Sequence, residues 1–109
     1  MKKLLIILLV SFSFISSINA DINDGWVAYQ KGDFKSALQE FQMLAEQGDV
    51  IAQYALGLMY DNGEGVTQNN ATAFKWYKKA AEKGNAQAQF NIGWMYANGR
   101  GINKDYLRA

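Results

Sequence analysis

Apolar residues recur at helical steps along most of the chain, and glycines punctuate them. Phe34, Ala37, Leu38, Phe41, Leu44 and Ala45 fall on one helix face, with Asp33 as an N-cap before them and Gly48 closing the run. A shorter helix around Trp26, Val27 and Tyr29, ended by Gly32, precedes it. The next helix spans 49–62, capped by Asp49, with Ala52, Leu56, Met59 and Tyr60 on one side and Gly57 admitting a close neighbour. A loop at 63–66 follows, in which two glycines permit left-handed backbone and Val66 turns back to the core. A returning helix over 70–83 offers Ala73, Phe74, Trp76, Tyr77, Ala80 and Ala81 for packing, and Gly84 stops it. Residues 85–98 then read as a further helix, 99–103 as a further loop, and a last helix begins near Asp105.

The second half of this pattern copies the first. A shift of 36 positions lays Ala45-Glu46 on Ala81-Glu82, Ala52-Gln53 on Ala88-Gln89 and Gly57 on Gly93. It also lays Met59-Tyr60 on Met95-Tyr96, Asn62-Gly63 on Asn98-Gly99, Gly65 on Gly101 and Ala73 on Ala109. Tyr54 exchanges for Phe90, Leu56 for Ile92 and Val66 for Ile102. A fixed period of this length marks short helical units stacked on one another. The expected fold is all-α: a short solenoid of antiparallel helix hairpins. Residues 21–48 form a lead-in hairpin, 49–84 a first repeat and 85–109 a second, incomplete one. Because the last helix has only an opening turn, three readings stay open: a truncated product, a packed stub, or a second copy completing the end.

Residues 1–20 read as a cleavable signal peptide. Lys2 and Lys3 are followed by an apolar run and a small-residue exit, with cleavage after Ala20. Serines at 11, 13, 16 and 17 break the run well short of the roughly 20 apolar residues of a spanning helix, so no stable membrane anchor is expected after cleavage. The expected location is the periplasm or the exterior. Without Lys2 and Lys3, nine basic residues face ten acidic ones, a net charge of −1 that gives no general attraction to nucleic acid. With no cysteine and no histidine, thiolate chemistry, disulfides and Ser-His-Asp, Cys-His or HExxH sites are impossible.

The repeat carries a family resemblance. Ala52, Leu56, Gly57, Tyr60, Gly63, Gly65 and Val66 meet the pattern A-x-x-x-L-G-x-x-Y-x-x-G-x-G-V, and Ala88, Ile92, Gly93, Tyr96, Gly99, Gly101 and Ile102 meet it again. Residues 73–81 resemble the A-x-x-W-Y-x-K-A-A returning helix of the same family. The chain thus resembles Sel-one-like repeat (SLR) proteins, within the tetratricopeptide-like superfamily, while Gly32-Asp33-Phe34 with Ala37 and Phe41 is nearer an ordinary tetratricopeptide unit. Asn69 stands where the family often has Asp, and the cysteine pairs of some secreted relatives, with their link to penicillin binding, are missing. The resemblance implies a non-enzymatic interaction scaffold with no cofactor, of the kind that serves envelope assembly, signalling and contact with host cells.

Candidate sites are few. Asp61 and Glu64 suggest a calcium loop or a carboxylate pair for cell-wall hydrolysis, yet the second copy replaces them with Ala97 and Arg100 and keeps the glycines. That favours a tight turn over a metal site, which needs several carboxylates. Lys75, Lys78, Lys79 and Lys83 share part of a helix surface and read as a solvated face or a patch for acidic partners. The first helix of each hairpin is expected to line a concave groove. There Ile51, Tyr54, Ala55 and Leu58, then Gln87, Phe90, Asn91 and Trp94, are positions the repeat pattern does not use. These side chains suit a protein or peptide partner or the packing of neighbouring helices, since aromatic burial serves both. Regulation of a cell-wall enzyme or membrane sensor is the alternative, with self-association as one form of it.

Overall fold

A computed structural model describes residues 21–99, which form five helices. They are α1 (Ile22–Gln30), α2 (Phe34–Glu46), α3 (Val50–Asn62), α4 (Asn70–Glu82) and α5 (Ala86–Asn98). The expected signal peptide, Gly101, Ile102 and the helix start at Asp105 lie outside the described residues.

Each helix begins on a side-chain cap. Asp21, Asp33, Asp49, Asn69 and Asn85 accept from backbone N–H groups of the first turn, which would otherwise lack partners. Asn69, where the family often has Asp, caps just as well, accepting from Thr72 N at 3.0 Å. The turns are equally economical. Gly48 takes φ +97, a left-handed geometry that ends α2, and Asp49 beside it both donates its N–H to Leu44 O and caps α3. The same glycine-then-cap pair recurs at Gly32-Asp33 and Gly84-Asn85. Among the described connections only that between α3 and α4 is longer. Gly63 closes α3 in the left-handed region, Gly65 passes so near Phe34 that a Cβ would lie 2.9 Å from its carbonyl oxygen, and Val66 is half-buried.

Packing follows chain order: α1 on α2, α2 on α3, α3 on α4 and α4 on α5. A first core cluster gathers Ala37, Phe41, Leu44 and Ala45 of α2 with Ala52, Ala55, Leu56 and Met59 of α3. A second gathers Ala73, Tyr77 and Ala80 of α4 with Ala88 and Met95 of α5. Of the periodic residues read from the sequence, Leu56, Ala73, Tyr77 and Ala88 are among those fully enclosed, while Phe34, Leu38, Tyr60, Phe74, Trp76 and Ala81 are partly buried against the two clusters.

One polar contact is duplicated with the repeat. Gln53 Nε2 donates to Ala45 O at 3.2 Å, and Gln89 Nε2 to Ala81 O at 3.1 Å. Each glutamine is a second donor to a carbonyl at the end of the preceding helix, which also accepts from the turn glycine, Gly48 N or Gly84 N, at 3.0 Å. This explains why the Ala-Gln pair is copied: the alanine packs and the amide ties consecutive helices.

Candidate functional site

The helices meet through glycine notches. Gly57 lies in mid-α3 under the ring of Tyr77 from α4, so close that a Cβ there would stand 2.3 Å from Cδ1 and 2.4 Å from Cε1. Tyr54, one turn earlier, flanks that ring at 6.0 Å between centroids. The lead-in hairpin uses the same device. A Cβ on Gly25 of α1 would lie 2.5 Å from the Phe41 ring, and Trp26 meets that ring edge-on at 4.9 Å. Gly25 carried no signal from the repeat, because it falls outside the 36-residue copy. The mid-helix glycine beside a tryptophan was the only hint. Gly93 holds the equivalent place in α5, but among the described residues nothing stands within 4 Å of its Cβ position. It matches Gly57 in helix position and differs in surroundings among the described residues, the segment after α5 lying outside them.

This difference divides the expected groove. Tyr54 and Leu58 are half-buried against the second core cluster, and Ala55 is only 1% exposed, within the first. Ala55 is therefore no part of an open stripe: α3 lies mid-stack and is covered on that side. Their counterparts on α5 remain at the surface, Phe90 at 73% and Trp94 at 47% exposure, with Gln87 exposed and Asn91 half-buried beside them. Ile51 is also open, at 49%.

The two carboxylates weighed for chemistry are tied to tyrosines. Tyr29 donates its hydroxyl to Glu64 at 2.8 and 3.0 Å, clasping the lead-in hairpin to the α3–α4 loop, and Asn62 donates to the same carboxylate at 3.3 Å. Tyr77 donates to Asp61 at 3.2 Å. Burial first, then the adjoining Asp61 carboxylate, pushes the Tyr77 phenol well above its ordinary value. Burial, then the bond to Glu64, raises Tyr29 from 10.0 to about 12. The fold favours the protonated phenol, so this contribution is complete below pH 10 and is lost as pH rises through about 12. Tyrosinate absorbance should show Tyr29 ionising late, and Glu64→Gln should move its titration part of the way back and advance alkaline unfolding.

Among the described residues no group of three or more acids is placed to hold a metal ion, and no helix is long and apolar enough to cross a membrane. Of the exposed lysines, Lys79 lies over the Trp76 ring at 5.0 Å and Lys83 donates to Gly48 O at 2.8 Å. Those two have structural partners, which leaves Lys75 and Lys78 as the remainder of the expected patch.

The notch, the glycine-and-cap turns and the duplicated glutamine describe a repeat, and the repeat has a name. The Sel1 repeat model matches residues 50–85 and again residues 86–109. The chain belongs to the Sel1 repeat family. Sel1 repeats generally mediate protein–protein interaction. A Sel1 repeat protein from Oxalobacter formigenes superposes with a TM-score of 0.64 at 42% identity, over 66% of this chain and 30% of that one. A protective antigen of uropathogenic Escherichia coli strains, displaying an SLR fold, superposes with a TM-score of 0.68 at 49% identity, over 72% of this chain and 18% of that one. Two curated relatives are each named exopolysaccharide production negative regulator. The one from Rhizobium leguminosarum bv. viciae is 38% identical over 55 residues, half of this chain and 21% of its own length. The one from Rhizobium meliloti (strain 1021) is 37% identical over 55 residues, half of this chain and 20% of its own. The matched Sel1 segment thus spans about a fifth of either relative.

Proposed function

We propose that this Sel1 repeat protein is an exported, non-enzymatic scaffold of the bacterial cell envelope. It holds a protein or peptide segment against the aromatic face of α5, where Phe90, Trp94 and Gln87 are exposed with Asn91 half-buried beside them, and Ile51 of α3 is a further open residue. The observation that carries this reading is the 73% exposure of Phe90, a residue whose counterpart Tyr54 is packed away. Aromatic anchors commonly dominate binding energy. Export rests on the character of residues 1–20. The non-enzymatic reading is supported by the engagement of Asp61 and Glu64 with tyrosines and by their loss from the second copy.

A narrower alternative is a regulatory or assembly subunit for a cell-wall enzyme or membrane sensor. The name shared by the two rhizobial relatives favours it. Both readings need the α5 face. The double variant Phe90→Ala/Trp94→Ala should keep its helical circular dichroism and thermal midpoint, yet recover partner from envelope extracts at least about tenfold less well, as expected for two anchor residues. Undiminished recovery would remove the face from the function.

A further inference from the structure

Positive charge is unevenly placed along the stack. Among the described residues four of the six bases, Lys75, Lys78, Lys79 and Lys83, lie on α4 and its C-cap with one acid, Glu82. The rest of the described residues hold eight acids against two bases, Lys31 and Lys35. α4 packs on both α3 and α5 and buries Ala73, Tyr77 and Ala80, while all four lysines are exposed. Lys75, Lys79 and Lys83 follow one another at steps of four, a row about 12 Å long, with Lys78 beside it. The repeat itself does not ask for these charges. A shift of 36 positions lays the four lysines on Gln39, Gln42, Met43 and Gln47 of α2 and its C-cap, all uncharged, and α2 ends its last turn without a base. A solvated outer face is thus met without lysine. Among the described residues Lys75 and Lys78 make no ion pair. The Trp76 ring and Gly48 O hold Lys79 and Lys83 in place and leave their charge unmatched. Nor does the remaining sequence supply the anion, since residues 1–20 and 100–109 hold one acid, Asp105, and five bases.

We infer that the lysine row of α4 is a docking surface for an acidic segment of a partner protein. This goes beyond the α5 face and does not rest on it, because it concerns a different helix and different chemistry. Charge complementarity sets the sign of the occupant, and three points set its class. Sel1 repeats generally mediate protein–protein interaction. Alternate residues of an extended peptide recur about every 6–7 Å, close to the roughly 6 Å between lysines four apart on a helix. Each ammonium is a compact point charge that takes a carboxylate from many directions, so a simple series of acidic side chains suits the row. Broader polyanions fit less well. The remaining described residues are net acidic, so a nucleic acid or an anionic bilayer is repelled beyond the row, while a narrow peptide meets the row alone. α4 also exposes no large apolar side chain to enter lipid.

The test uses the full chain and a labelled peptide of alternating Glu and Ala, followed by fluorescence anisotropy at low ionic strength. Saturable binding is expected, falling as salt is added. Lys75→Gln/Lys78→Gln installs the residues that α2 carries at these places, so helical circular dichroism should be unchanged. Peptide binding should weaken about fivefold or more, as expected for two charge pairs. Lys31→Gln/Lys35→Gln removes the same charge elsewhere and should weaken binding less than about twofold. Phe90→Ala/Trp94→Ala should leave it unchanged, so the two faces stand or fall separately. Equal weakening by the two lysine pairs would show a general charge effect and overturn the inference, as would no saturable binding to the unaltered chain. Tighter binding to phosphatidylglycerol vesicles or to alginate than to the peptide would overturn it as well, because the occupant would then be a lipid surface or a polysaccharide.

Discussion

Gly57→Ala will lower the stability of the protein by about 2 kcal/mol, whereas Gly93→Ala will leave it unchanged or raise it by up to about 1 kcal/mol. Alanine is the better helix former at both places, which by itself favours each substitution by roughly 1 kcal/mol. At Gly57 the new methyl would meet the Tyr77 ring at 2.3 Å, and that ring is fully buried. Overpacking of this kind costs about 1–3 kcal/mol and occasionally more, so the clash outweighs the propensity gain. At Gly93 no atom of the described residues lies within 4 Å, and among them propensity acts alone. Urea unfolding of the two single variants checks both signs. Equal shifts at the two glycines would show that the notches are not used as described.

Tyr77→Ala carries the larger cost, about 3–5 kcal/mol, the range for removing a buried aromatic. Its ring fills the Gly57 notch, stands beside Tyr54 and belongs to the second core cluster, and its hydroxyl reaches Asp61. Natural domains have roughly 0.05–0.15 kcal/mol of stability per residue, so a loss of this size is a large fraction of what a domain this small holds. The expected result is a thermal midpoint lowered by roughly 12–40 °C, at about 4–8 °C per kcal/mol for a domain of this size. Tyr77→Phe should lose only about 1 kcal/mol, the net value of one hydrogen bond. In the double variant Gly57→Ala/Tyr77→Ala the alanine has room once the ring is gone. Its cost should largely vanish, giving a coupling energy on the order of 2 kcal/mol.

What the sequence displays well is what depends on near neighbours in the chain. Helix faces, the glycine stops, Asp33 and Asp49 as caps and the copied repeat all follow from spacing within a few turns. The fates of Tyr54 and Phe90 do not. They occupy one repeat position, yet one packs against the second core cluster and the other meets solvent, because burial depends on which helix comes next in space. The hydroxyl partners of Glu64 and Asp61 were equally hidden, lying 35 and 16 residues away on other helices. The copied sequence did show that these acids are dispensable to the repeat, since Ala97 and Arg100 replace them. Gly25 escaped because its ring arrives from Phe41 across a short turn, while that of Gly57 arrives from Tyr77 across a longer loop, so the two notches share no sequence period.

The turn chemistry also bears on how a gene of this kind changes length. Excising the codons for residues 49–84 would join Gly48 directly to Asn85, which is again a glycine followed by a capping residue. The amide of Gln89 would then stand where that of Gln53 stands now, eight residues after Ala45, and could take over its carbonyl. Unequal recombination between copies therefore creates a junction that the backbone already knows how to make, and inheritance can add or drop whole units without inventing a new seam.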